Sequence, residues 1–189
     1  VGEEPTNDTT VEDGKEYTYK YGLKNLGLTI KYVDEDGEEL QTATGRELLY
    51  GGSYDLVTDN TIENARMITV GTGSDEKQYV LDSIEGAVTG NNVTEAVTVT
   101  LVYSLDEDEN EVPDKYQATV SYKVEGGTFK EAEGTDKTTV TQTYNMKKWD
   151  EASKTWVDDP KKLENIPTPE AGTGYDPASG AWVGEEPTN

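Results

Sequence analysis

The chain of 189 residues contains no cysteine and no histidine. The first absence removes disulfides and thiol catalysis. The second removes the commonest general base, and the two together remove the usual zinc ligands. A disulfide-stapled secreted scaffold is excluded, although secretion itself is not. No apolar run approaches the roughly 20 residues of a membrane span, and no stretch reads as a leader. Basic residues are scarce: 16 Lys and Arg stand against 39 Asp and Glu, a formal net charge of −23. Nucleic acid and anionic lipid both need Lys/Arg clusters, so neither is an expected partner, and no membrane insertion is expected in this segment. Phenylalanine occurs once, and hydrophobic residues make up only 32%, near the composition at which chains stay disordered.

Twelve tyrosines argue for order, because they stand with Thr and Val in alternating runs, the period of a half-buried strand. "KEYTYKY" places Tyr17, Tyr19 and Tyr21 on one face. "LTIKYVDEDGEEL" places Leu28, Ile30 and Tyr32 on one face and then reaches Asp36-Gly37, an Asp-Gly pair that predicts a type I′ hairpin turn. "EAVTVTLVYSL" aligns Val97, Val99, Leu101 and Tyr103, and "YQATVSYKV" aligns Tyr116, Ala118, Val120, Tyr122 and Val124. "TIENARMI" is the one helical turn expected in the first half. "NMKKWDEASKTWV" reads either as a hairpin pairing Trp149 with Trp156 or as a short helix. "NIPTPEAGTGYDPASGAW" is rich in Pro and Gly and reads as loop. The class is therefore mainly β with little helix, divided into a segment 1–21, a linker 22–27, a unit 28–104, an acidic linker 105–115 and a second unit 116–189.

The chain also repeats itself. "VGEEPTN" stands at Val1–Asn7 and again at Val183–Asn189, 182 positions later. Seven identical residues are not a chance event in a chain this short. The expectation is one period of a tandem array.

Residues 28–104 resemble the mucin-binding-protein-type repeat of Gram-positive surface proteins. The residues that carry the likeness are "LTIKYVDEDGEEL", "GGSYDL" and the closing "VTVTLVYSL". Residues 116–182 resemble the internalin-type B-repeat through "ATVSYKVEGGTF", "IPTPEAGTGY" and "GAW", with an insertion at roughly 144–160 that compact repeats lack. The resemblance implies two small, elongated β-grasp-like modules in tandem. It also implies that the second module ends in an aromatic strand after the Trp. Here that strand follows the heptad at the other end, as "DTTVEDGKEYTYKYG".

Val11, Tyr17, Tyr19 and Tyr21 are thus the expected assembly strand, and Tyr116, Val120 and Tyr122 the strand beside the place it fills. Each large apolar side chain buried there contributes about 1.5–3 kcal/mol, so the four approach the whole stability of a small module, about 5–10 kcal/mol. Three sources of the strand are open: the chain's own head, another chain donating its head, or a polypeptide that continues. The first is disfavoured because Gly22–Gly27 spans at most about 20 Å; the heptad favours the third. Expected partners are neighbouring repeats of the same protein, head to tail, and a host glycan or protein as the alternative.

The resemblance implies an extracellular, surface or filament location and a mechanical role rather than an enzyme. With so many carboxylates, acid/base pairs arise by chance. The run 106–113 holds five acids and no base. Asp106, Asp108 and Asn110 could supply oxygen ligands to calcium, but the Asp-x-Asp-x-Asp-Gly spacing with a distal Glu is missing, and a solvated, self-repelling linker is the preferred reading. Tyr50, Tyr54, Trp149 and Trp156 are candidates for stacking on sugars and, more simply, for covering small cores.

Overall fold

The computed structural model describes residues 4–10, 13–130, 137–183 and 187. The fold is mainly β. In the first unit the chain runs through β1 (Leu28–Asp34), β2 (Glu39–Arg46), β3 (Tyr54–Asp55), a single helical turn α1 (Thr61–Asn64), β4 (Met67–Val70), β5 (Lys77–Glu85), β6 (Thr89–Gly90) and β7 (Val97–Asp106). Five of these strands form one sheet in the order β2-β1-β7-β5-β4. Its centre is a parallel pair of β1 and β7, in register from Leu28 opposite Val97 to Asp34 opposite Tyr103. The flanking pairs are antiparallel.

The alternation read from the sequence explains the sheet's two faces. Leu28, Ile30 and Tyr32 of β1 and Val99, Leu101 and Tyr103 of β7 point to one side and are buried. Leu48, Leu56 and, from α1, Ile62 close over them. The Tyr103 hydroxyl donates to the Ala65 carbonyl at 2.5 Å, so the one polar atom of that side chain is satisfied inside the core. Burial drives the phenol's pKa well above its ordinary value.

The turn after β1 is not the predicted type I′. Only Gly37 has positive φ, at 85°, and its N–H donates to the Asp34 carbonyl at 3.1 Å. This is a type I turn closed by a left-handed glycine, as in three-residue hairpin loops. The Asp34 carboxylate fixes it by accepting from the N–H groups of Asp36 (3.0 Å) and Glu38 (2.9 Å), a local bond that Asp makes readily. In β5 the register slips between Leu81 and Ser83. Asp82 is the extra residue of this bulge, and bulges re-aim side chains.

The second unit is thinner. It contains β8 (Gln117–Lys123), β9 (Gly127–Phe129), β10 (Thr139–Asn145), β11 (Lys147–Asp150), β12 (Thr155–Asp158) and β13 (Pro169–Ala171). These form three antiparallel pairs: β8 with β10, β9 with β13, and β11 with β12. Tyr122 and Phe129 are its buried apolar anchors. Trp149 opposes Trp156, so of the two readings of that stretch the hairpin is the observed one. The stretch read as loop contains β13. It pairs because Gly127 lets the two backbones meet: a Cβ there would lie 2.1 Å from the Glu170 carbonyl oxygen.

Leu101 sits at the centre of the larger core with no exposed surface. Leu101→Ala is expected to cost about 2–5 kcal/mol, read as a lowered urea midpoint of the first unit.

Candidate functional site

Three features could carry function: the acidic turn after β7, the tyrosine segment with the edge of β8, and the aromatics of the β11–β12 hairpin. The acidic turn is not the solvated run expected. Leu105 and Asp106 still belong to β7, paired with Tyr79 and Gln78 of β5. Asp106 is fully buried. Its carboxylate accepts from the N–H groups of Asn110 (3.1 Å) and Glu111 (2.9 Å) and from the Gln78 amide (3.0 Å). The chain then curls back through left-handed Glu109 and Glu111. The Asp114 carboxylate accepts from the Glu107 N–H at 3.2 Å.

As a result carboxylate oxygens of Asp106, Asp108 and Asp114 lie within 4.8 Å of one another. Asn110 is used differently: its amide donates to Asp108 at 2.8 Å, and its oxygen accepts from the Val112 N–H at 3.0 Å. Asp114 was missed because it follows Val112-Pro113, outside the acidic run, and only the curl of the turn brings it back. Burial raises the Asp114 pKa, and the nearby charges of Asp108, Glu107 and Asp106 add to the rise.

The tyrosine segment makes no strand within this chain. Residues 15–21 have no regular structure, and Tyr17, Tyr19 and Tyr21 are 51%, 78% and 90% exposed. Tyr19 and Tyr21 meet edge to face at 5.0 Å. Val11 lies outside the described residues. Beyond the segment, Lys24–Leu26 run beside residues 48–50, with bonds from the Leu26 N–H to the Leu48 carbonyl (2.7 Å) and from the Tyr50 N–H to the Lys24 carbonyl (2.8 Å).

At the other end of the chain, β8 pairs with β10 alone among the described residues. Its Val120 and Tyr122 face inward, opposite Gln142 and Val140 of β10. Among the described residues the buried Tyr122 hydroxyl has no hydrogen-bond partner. Trp182 lies against the Tyr122 ring at 6.2 Å. Tyr116, grouped with these two in the sequence, breaks the alternation. It sits in a 3₁₀ turn (Asp114–Tyr116) ahead of β8, and its hydroxyl donates to Asp82 of the first unit at 2.6 Å.

Of the four aromatics considered for sugars, Trp149 packs against the core of the first unit. The Trp156 indole N–H donates to the Leu81 carbonyl at 2.9 Å, and the Tyr54 hydroxyl to the Ala87 carbonyl at 2.9 Å. Tyr50 is the exposed one, at 49%. A cleft of about 500 Å³ lies between the outer edge of β5 and β12, with Asp82, Ser83, Tyr116, Ser153 and Trp156 among its walls.

Residues 27–104 match the family model of the MucBP domain. The match runs from β1 into β7 and ends two residues before that strand does, so it covers nearly all of the first sheet and none of the second unit. Among curated proteins, none matches the chain.

The raised pKa of Asp114 means that the folded state holds a proton more tightly than the unfolded chain. Its contribution therefore falls as pH rises through the folded pKa, and is unchanging below the ordinary value of 3.8. Asp114→Asn keeps an acceptor for Glu107 and removes the charge. The variant is expected to melt higher than the parent at pH 7 and to lose that advantage near pH 3, as followed by circular dichroism.

Proposed function

We propose that this chain is one 182-residue period of an extracellular head-to-tail repeat that builds a fibre or adhesin stalk on a Gram-positive surface. The observation that carries the reading is a mismatch between the two ends. Among the described residues β8 has one unpaired edge, and Trp182 lies against its Tyr122, while three tyrosines in strand alternation stand uncovered before the first unit. The repeated heptad supplies the connection. After Trp182 and "VGEEPTN", a following period would continue with "DTTVEDGKEYTYKY", the segment proposed to pair with the open edge of β8. An extended segment laid on an open edge gains main-chain hydrogen bonds, and its alternate side chains gain burial. The β-grasp-like completion of the second unit belongs to this reading. So do the surface location and the solubility that a net charge of −23 gives a crowded array.

The work done is mechanical. β1 and β7 are the first and last strands of their sheet and run parallel, so the chain enters and leaves the first unit at opposite ends. That geometry suits units strung in a line. No helix among the described residues is long and apolar enough to cross a membrane.

A second reading, binding of a host glycan or glycoprotein, is favoured by the MucBP match at 27–104 and by the exposed Tyr50. Micromolar binding of residues 22–112 on a glycan array would support it over a purely structural role. A third, a pilus of separate subunits joined by strand donation, differs in covalent state. Denaturing gels of native material should give one very large polypeptide for the array, against a ladder built on the 20.7 kDa chain for the pilus.

The direct test extends the chain beyond Asn189 by a second copy of residues 8–21. The extended protein is expected to gain stability in the second unit, about 1.5–3 kcal/mol for each large apolar side chain that becomes buried, with quenched tyrosine exposure to solvent. An unchanged melting curve for the extended protein would refute the proposed pairing.

A further inference from the structure

The β11–β12 hairpin is a two-stranded ribbon, which is marginal by itself in water. It springs from the second unit, where the Met146 N–H donates to the Tyr116 carbonyl and the Asp159 N–H to the Met146 carbonyl, both at 2.8 Å. It also reaches the first unit. Trp149 packs on that unit's core, with the Arg66 guanidinium 4.9 Å from its ring centre. Trp156 meets Trp149 edge to face at 5.6 Å and Tyr116 at 5.5 Å. Its indole N–H reaches the Leu81 carbonyl just past the point where β4 stops covering β5.

Charges surround these rings. Arg66 pairs with Glu151 at 3.0 Å, and Lys154 reaches Glu63 of the first unit at 3.5 Å. Lys115 holds both Asp82 (2.9 Å) and Glu35 (2.6 Å). Burial works against the Lys115 charge, but the two carboxylates outweigh it and raise its pKa. The bulge in β5 turns Asp82 outward to meet both Lys115 and the Tyr116 hydroxyl.

We propose that this hairpin is a clamp. It locks the two units into one rigid segment, so that the angle between them is set by Trp149 and Trp156 and not by the acidic turn that joins them in sequence. Units joined by a chain alone move relative to one another by default. Here the hairpin carries the second unit's side chains across the joint and packs them, partly buried, against the first. The ion pairs are partly exposed, between 11% and 59% at their side chains, and exposed pairs contribute little individually. Aromatic burial is therefore the stronger part of the clamp. The inference stands whether or not the segments assemble into a fibre.

The absence of cysteine makes spin labelling clean. Labels at Thr42→Cys on β2 and Thr143→Cys on β10, both exposed, report the distance between units by pulsed electron resonance. A narrow distribution is expected for the otherwise unaltered chain. It should persist in about 1 M salt, where the screening length is about 3 Å. Trp156→Ala should broaden the distribution by about two-fold or more, toward that of units joined only by a chain. Arg66→Ala lies in the first unit and leaves the second unit's own contacts intact; it should broaden the distribution as well. A broad distribution in the unaltered chain, or an unchanged one in both variants, would overturn the clamp.

Discussion

The parallel pairing of β1 with β7 is the constraint from which the rest of this molecule follows. Residues 35–96 must leave the end of β1 and come back to the end where it began, and they do so through β2, α1, β4 and β5. The side chains at the centre of that pair are Ile30, Val99, Leu101 and Tyr103, all essentially free of solvent contact. Because the pair is parallel, β7 finishes at the pole opposite to the start of β1. Its last residue, Asp106, is buried there and accepts the N–H groups that fold the next turn. One strand thus serves both the core of the first unit and the start of the joint.

The joint is built from residues whose roles depend on one another. Asp106 orders the turn, the turn delivers Lys115 and Tyr116, and both meet Asp82, which a bulge in β5 has turned outward. The hairpin then adds Trp149 and Trp156 from farther along the chain. In a protein with far more acid than base, basic groups are gathered where two acidic surfaces approach. Lys115, Lys154 and Arg66 each face a carboxylate across or beside the joint. Repulsion between the units, expected from the net charge, is relieved at that place.

The strands of the first unit were legible in the sequence because a half-buried strand shows its period directly. Leu28, Ile30 and Tyr32, and Val99, Leu101 and Tyr103, were aligned correctly, as was the helical turn at Thr61–Asn64. The Asp36-Gly37 turn was placed correctly but given the wrong type, since composition does not reveal that Asp34 will cap it and leave positive φ to Gly37 alone. The joint was the least legible part. Partners that meet there are far apart in sequence, 75 residues for Trp156 with Leu81 and 85 for Arg66 with Glu151, and no local pattern encodes them. Nothing in the stretch 144–160, set against the expected compact repeat, discloses that it reaches another unit. Asp106 was misjudged for a related reason: a carboxylate at the end of a strand looks like the first member of a charge run until its hydrogen bonds are seen.

The open edge of β8 is proposed to receive the tyrosine segment of a neighbouring period. Amide hydrogen exchange measures this most directly, on the chain alone and on a tandem of two periods. In the tandem, those amides of Gln117–Lys123 that point away from β10 should become protected in the leading period and stay unprotected in the trailing one. Equal exchange of these amides in both periods and in the single chain would contradict the claim.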